Sequence, residues 1–152
     1  MDKVYIAPNA TLVGETSLAP GVNIWYGAVL RGDSGCISLG EGTNVQDNCV
    51  IHEKTTVGAW CTVGHGAILH GCTLKDGCLV GMGAILLDGA VLEEGCMVGA
   101  GALVTGKIHA EPGSLLLGNP AKVVKQLTPQ QIAANRQNAQ HYVELAKKAF
   151  GE

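Results

Sequence analysis

Branched apolar residues recur every six positions through most of this chain. Ile6, Leu12, Leu18, Ile24 and Leu30 open the series, which restarts at Leu39 and continues through Val45, Ile51, Val57, Val63 and Leu69. After a one-residue deletion it runs Leu74, Val80, Leu86, Leu92, Val98 and Val104. A period of six matches neither the helical repeat nor the alternation of an open strand over such a length. It fits a solenoid in which each hexapeptide supplies one short strand and one corner, so that three hexapeptides close a triangular coil. Roughly five and a half such coils stack between Ile6 and Val104. Four positions beyond the large apolar residue lies a small one, as at Ala28, Thr43, Cys49, Cys61, Ala67, Cys78 and Cys96. Glycine often precedes it, where a tight corner requires a positive φ.

The composition agrees with a narrow prism. The 152 residues include 22 glycines but only three Tyr, two Trp and one Phe, while 47% are apolar. A core is therefore available, but one of aliphatic and small side chains. Disorder, a collagen-like repeat and an aromatic-cored globule are disfavoured. The net charge is −3 and no basic stripe exists, so neither nucleic acid nor an anionic membrane is an expected partner. Met1-Asp2-Lys3-Val4-Tyr5 carries no leader pattern, and no run approaches the ~18 apolar residues of a membrane span. The cysteines form no C-x-x-C pair, which argues against zinc-ribbon and redox readings. Cys49, Cys61, Cys72, Cys78 and Cys96 fall in the small-residue slot as core filler; Cys36 falls outside the repeat. A reduced, cytoplasmic protein is expected.

One domain is predicted, with a β-helix over residues 1–117, a turn or linker over 118–127 and a helix over 128–150. Gly118-Asn119-Pro120-Ala121 carries the turn signal. Thr128, Pro129 and Gln131 form a capping box with proline at the first helical position, and Gly151 is a plausible stop. Ile132, Ala139, Val143, Ala146 and Phe150 line one face of that helix, which should pack along the prism.

His52, His65 and His70 carry the chemical signal. His52 and His70 are 18 residues apart, one full coil, and each follows an inward-pointing residue (Ile51, Leu69). They should project outward from adjacent coils about 4.8 Å apart, which suits two imidazoles sharing a metal. His65 lies around a corner and cannot readily reach the same ion within one chain. In a threefold assembly of prisms, His65 of one copy would face the His52/His70 pair of the next. Three histidines with an open fourth position form a catalytic zinc set. Leu30 to Leu39 spans nine positions rather than six, so Arg31-Gly32-Asp33-Ser34-Gly35-Cys36-Ile37-Ser38 contains a three-residue insertion, read as a functional loop. His109 and His141 give no clear signal.

The repeat resembles that of the hexapeptide-repeat superfamily, whose coil is a left-handed parallel β-helix; the hand comes from the resemblance, since parallel crossovers are generally right-handed. Val29-Leu30-Arg31-Gly32-Asp33, Asn44-Val45-Gln46-Asp47, Ile51-His52 and His65-Gly66-Ala67-Ile68-Leu69-His70-Gly71-Cys72 closely resemble the γ-class carbonic anhydrase family, over about residues 5 to 145. The resemblance implies a homotrimer with zinc (or iron or cobalt) at each interface. His52 and His70 would come from one chain and His65 from its neighbour. It implies that Arg31 pairs with an aspartate across the interface (Asp33 or Asp47), that Gln46 hydrogen-bonds the metal's water and that Asn44 orients that network. The implied reaction is hydration of CO2 to bicarbonate, driven by a metal that lowers the pKa of bound water to about 7.

The chain departs from the family pattern at its proton-transfer groups. Ser34 stands where the archetype has a glutamate. Lys54-Thr55-Thr56 is neither long nor acidic, and Glu53 is expected on the opposite side of its strand. Tyr142 on the terminal helix is the alternative shuttle. A second reading is a hexapeptide acyl- or acetyltransferase, or a thioesterase, acting on coenzyme A esters with one histidine as base; Leu117-Gly118-Asn119-Pro120-Ala121-Lys122 resembles a segment of those enzymes. A third is a non-catalytic trimeric binding protein.

Overall fold

The computed structural model describes residues 3–151, so the first two positions of the predicted 1–117 unit lie outside it. Among the described residues eighteen strands are followed by one helix. The architecture is a parallel β-helix of the left-handed hexapeptide class. One face of the prism stacks Tyr5–Ile6, Asn23–Ile24, Asn44–Val45, Thr62–Val63, Leu79–Val80, Met97–Val98 and Ser114–Gly118. The second face runs from the start of the Val29–Leu39 strand through Val50–His52, Ile68–His70, Ile85–Leu86 and Leu103–Val104. The third runs from the end of Val29–Leu39 through Thr55–Val57, Thr73–Leu74, Val91–Leu92 and His109–Ala110.

The hexapeptide rhythm decides which side chains go inside. Ile24, Leu30, Val45, Ile51, Val63, Leu69, Val80, Leu86 and Val98 are fully buried, stacked in columns by the parallel register. Cysteine at the corners does more than fill space. The thiols of Cys49, Cys61, Cys78 and Cys96 donate to the carbonyls of Gly64, Lys75, Glu93 and Glu111 at 3.0 to 3.2 Å, giving corner carbonyls a partner that alanine could not offer. Burial pushes the Cys49 thiol up to about 11 and that of Cys72 up to about 12, which leaves both inert at neutral pH. All six cysteines are free.

Rings are excluded from the prism. Trp25, Tyr26, Tyr142 and Phe150 instead form one cluster of edge-to-face contacts, with centroids 5.0 to 6.0 Å apart, where the helix docks. The helix spans Pro129–Phe150, with Thr128 and Gln131 closing the capping box and Ala139, Val143 and Ala146 buried. Among the described residues no helix is long and apolar enough to cross a membrane.

Two expectations need correction. The 118–127 linker contains a six-residue strand, Ala121–Gln126, which turns back antiparallel on Ser114–Gly118. It covers the last edge of the first face, which would otherwise present unpaired backbone groups. The insertion at Arg31–Ser38 is not a loop. Val29–Leu39 is one continuous strand whose register with Thr11–Leu18 slips between Gly14 and Thr16, so the extra residues form a bulge at a corner.

The corner positions yield a direct comparison. Gly42 and Gly66 both have positive φ (68° and 69°), but a Cβ on Gly42 would lie 2.3 Å from the Trp60 ring, whereas one on Gly66 would meet nothing within 4 Å. Gly66→Ala should cost about 1–2 kcal/mol for backbone strain alone. Gly42→Ala should cost about 1–3 kcal/mol more, because the ring must also move. Thermal or denaturant unfolding of the two variants measures the difference.

Candidate metal centre

Parallel pairing places Arg31, His52 and His70 in one outward column on the second face, with Arg31 aligned on His52 and His52 on His70. The two imidazoles lie edge to face with ring centroids 5.3 Å apart. His52 is half-buried, and its Nε2 is inaccessible to solvent and has no hydrogen-bond partner. Asp33 Oδ1 lies 3.3 Å from that nitrogen, but without hydrogen-bonding geometry. A solvent-inaccessible ring nitrogen without a partner, on a histidine stacked against a second one, is costly to leave unsatisfied. It is what a metal ligand needs.

His65 stands on the corner between the first and second faces, half-exposed and outside the His52/His70 cluster. Its Nδ1 lies 3.0 Å from Asp47 Oδ1, on the residue stacked directly beneath it. His70 Nδ1 is bonded to Asp88 Oδ1 at 2.5 Å. An ionised carboxylate only accepts, so each of these bonds makes Nδ1 the protonated nitrogen and leaves Nε2 free to ligate. Asp88 was not among the sequence candidates. Asp47 was, as an interface residue, and the structure gives it this orienting contact.

Arg31 and Asp33 meet on their own strand, with Arg31 Nη2 and Nε donating to Asp33 Oδ2 at 3.0 and 3.3 Å. Residues two apart share a face of an extended strand, which lets this pair form within one chain. The guanidinium holds the Asp33 carboxyl below its ordinary range. Glu53 also departs from expectation. Its strand ends at His52, and Glu53 has φ 64°, so strand alternation no longer applies and its carboxylate turns toward the histidine pair. One ligand atom from each of His52, Glu53 and His70 lies within 4.8 Å of the others.

Asn44 and Gln46 belong to a buried polar chain running from the His65 corner to the helix. Gln46 Nε2 donates to Asn44 Oδ1 at 3.1 Å, Asn44 Nδ2 donates to Thr62 Oγ1 at 3.0 Å, and Asn138 Nδ2 on the helix donates to the same hydroxyl at 3.2 Å. Tyr142 packs against Trp25 with centroids 5.4 Å apart. Burial, and secondarily the charge of Asp47, raise the Tyr142 hydroxyl above its usual value. His109 pairs with Glu93 at 2.6 Å on the third face, and His141 is exposed on the helix.

Comparison with known proteins bears on this geometry. The model of the bacterial transferase hexapeptide (six repeats) family matches residues 71–106. A probable carbonic anhydrase of Methanocaldococcus jannaschii is 45% identical over 95% of this chain and 93% of its own length. Gamma carbonic anhydrase 2, mitochondrial, of Arabidopsis thaliana is 44% identical over 95% of this chain; the chain spans 55% of that plant relative's length. A solved hexapeptide transferase family protein from Anaplasma phagocytophilum superposes with a TM-score of 0.93 at 42% identity, covering 97% of this chain and 89% of that one. With 45% identity to a relative that it spans almost entirely, and with His52 stacked on His70 as the repeat requires, the chain belongs to the γ-carbonic anhydrase family of hexapeptide-repeat proteins.

Proposed function

We propose that this protein is a metal-dependent γ-class carbonic anhydrase that hydrates CO2 to bicarbonate at sites shared between the chains of a homotrimer, in a reduced, cytoplasmic setting. The observation that carries the reading is the buried, unpartnered Nε2 of His52 beside His70, with the Nδ1 atoms of His70 and His65 each tied to a carboxylate. His52 and His70 of one chain, with His65 of a neighbouring copy, would hold the ion, for which zinc is the first choice and iron or cobalt the alternatives. When bound, it supplies a Lewis acid that makes water a nucleophile near neutral pH.

The chain's own residues then have distinct tasks. Asp88 and Asp47 lock the His70 and His65 rings with Nε2 outward, so no reorientation is needed when the site forms. Gln46 has an amide N–H committed to Asn44, which would leave its carbonyl oxygen to accept a hydrogen bond from the water and orient it. Asn44 is fixed in turn by Thr62 and Asn138, so the orientation of Gln46 is set by the helix as well as the prism. The Arg31–Asp33 pair flanks His52 and maintains a charged rim on the second face. Tyr142 is protonated at neutral pH and can serve only as a proton donor or relay. A transferase acting on coenzyme A esters would use one histidine as a base, a role the carboxylate-braced rings of His65 and His70 could also fill; the unpartnered Nε2 of His52 stacked against His70 is what favours an ion.

Mixing variants tests the shared site. His52→Ala and His65→Ala should each lose at least about 100-fold in CO2 hydration, since each removes a ligand. Reassembly from an equal mixture should restore activity at about one interface in four, the random share in which both intact partners meet. Activity that stays absent in the mixture, with trimers present by light scattering, contradicts the two-chain arrangement. Hydrolysis of acyl-coenzyme A that survives His52→Ala would favour the thioesterase reading.

Tyr142 provides a pH test. Its folded-state value is raised above the 10.0 of an ordinary tyrosine, so its contribution to stability is complete below pH ~10 and is lost as the pH climbs through the folded value. Tyrosinate absorbance should show a late alkaline transition that Tyr142→Phe abolishes and Asp47→Asn shifts downward. The same Tyr142→Phe variant should lower turnover in dilute buffer and recover in part with imidazole.

A further inference from the structure

The turn after His52 is held in a conformation that its sequence does not favour. Glu53 has φ 64°, in the left-handed region that side chains seldom adopt, while the corresponding position on the next coil is Gly71 with φ 70°. Two hydrogen bonds from the fully buried Thr55 fix the turn: its hydroxyl lies 3.0 Å from the His52 carbonyl and 3.2 Å from that of Glu53. The amide of Gly71 donates to the same hydroxyl at 3.1 Å and to the His52 carbonyl at 3.1 Å, tying the turn to the coil that carries His70. Strain at a non-glycine residue persists only where its surroundings over-determine it, and it concentrates at functional sites.

This strained turn aims the Glu53 carboxylate at the two imidazoles. The ligand atoms of His52, Glu53 and His70 lie within 4.8 Å of one another. Bonds of about 2.0–2.2 Å to a common ion need the donors closer than this, a movement for which the flexible Glu53 side chain is suited while Asp88 holds the His70 ring. Two histidines and one carboxylate form a recognised catalytic set for zinc, and with open positions also suit ferrous iron. His52 also has a solvent-inaccessible Nε2 without a hydrogen-bond partner. We propose that Glu53 is a metal donor contributed by the same chain as His52 and His70, so that a single chain binds a divalent cation before any neighbouring copy supplies His65. The inference rests on the metal-centre reading given above. It adds an order to assembly: the ion enters a half-site on one prism, and His65 then completes the coordination.

Cobalt titration separates this inference from the reading beneath it. The wild-type chain, His65→Ala, Glu53→Gln and the His65→Ala/Glu53→Gln double variant would each be titrated with Co2+, following its visible absorption and competition with a chelator. His65→Ala should still bind one Co2+ per chain. Adding Glu53→Gln should then weaken binding by roughly 30-fold or more and change the cobalt spectrum. Glu53→Gly guards against misfolding, because glycine accepts the positive φ. It should lose the same affinity while leaving the metal-free melting temperature unchanged or higher. Equal affinity and an identical spectrum with and without the Glu53 carboxylate would overturn this proposal and leave the three-histidine centre standing. Failure of the wild-type chain to bind Co2+ at all would overturn both.

Discussion

Backbone hydrogen bonds between successive coils fix which side chain stands above which, and the chemistry of this protein follows from that alignment. Each strand is only two or three residues long on most coils, so no strand is stable alone. Stacking supplies the stability, and it requires each coil to bury the same column, the insertion at Arg31–Ser38 being absorbed in a bulge and the deletion before Leu74 between strands. The aliphatic interior and the small corners enforce that alignment. Once it holds, the outer surface becomes a grid on which Arg31, His52 and His70 occupy consecutive rungs and Asp47 lies under His65.

The grid explains why the ligands can be rigid without a conventional cavity. His70 and His65 are each braced by a carboxylate from an adjacent coil, so the same inter-coil spacing that packs the core also sets the ring orientation. On the adjacent face, the buried Gln46–Asn44–Thr62 chain transmits the position of the helix to the corner that bears His65. The aromatic cluster around Trp25 anchors the same helix from outside the prism. Packing and site therefore share their supports, and a mutation in the helix interface should be felt at the His65 corner.

Periodicity made part of this legible in the sequence. The stacking of His52 on His70, the separate corner position of His65 and the burial of five cysteines could all be counted from a repeat of six. Departures from period hid the rest. Asp88 escaped because it lies in the turn after Ile85–Leu86: it is 18 residues past His70, but the register of that coil is 17, so the contact comes from a turn one position beyond the stacked column. Glu53 escaped because strand alternation assumes extended backbone, and its left-handed φ reverses the side it faces. The Ala121–Gln126 strand was obscured by the turn signal before it and by its role at the end of the solenoid, where the repeat has stopped. The insertion at Arg31–Ser38 was visible, but a bulge that remains paired cannot be told from a loop without the neighbouring coil.

The central claim is that one ion is shared between two chains, and locating that ion tests it most directly. A crystal structure of the zinc-loaded protein, with anomalous scattering recorded on both sides of the zinc edge, would place it without reference to activity. The account predicts one zinc per chain, bound by His52 and His70 of one subunit and His65 of the next. Zinc found elsewhere, or an assembly in which His65 faces solvent away from the His52/His70 pair, would contradict it.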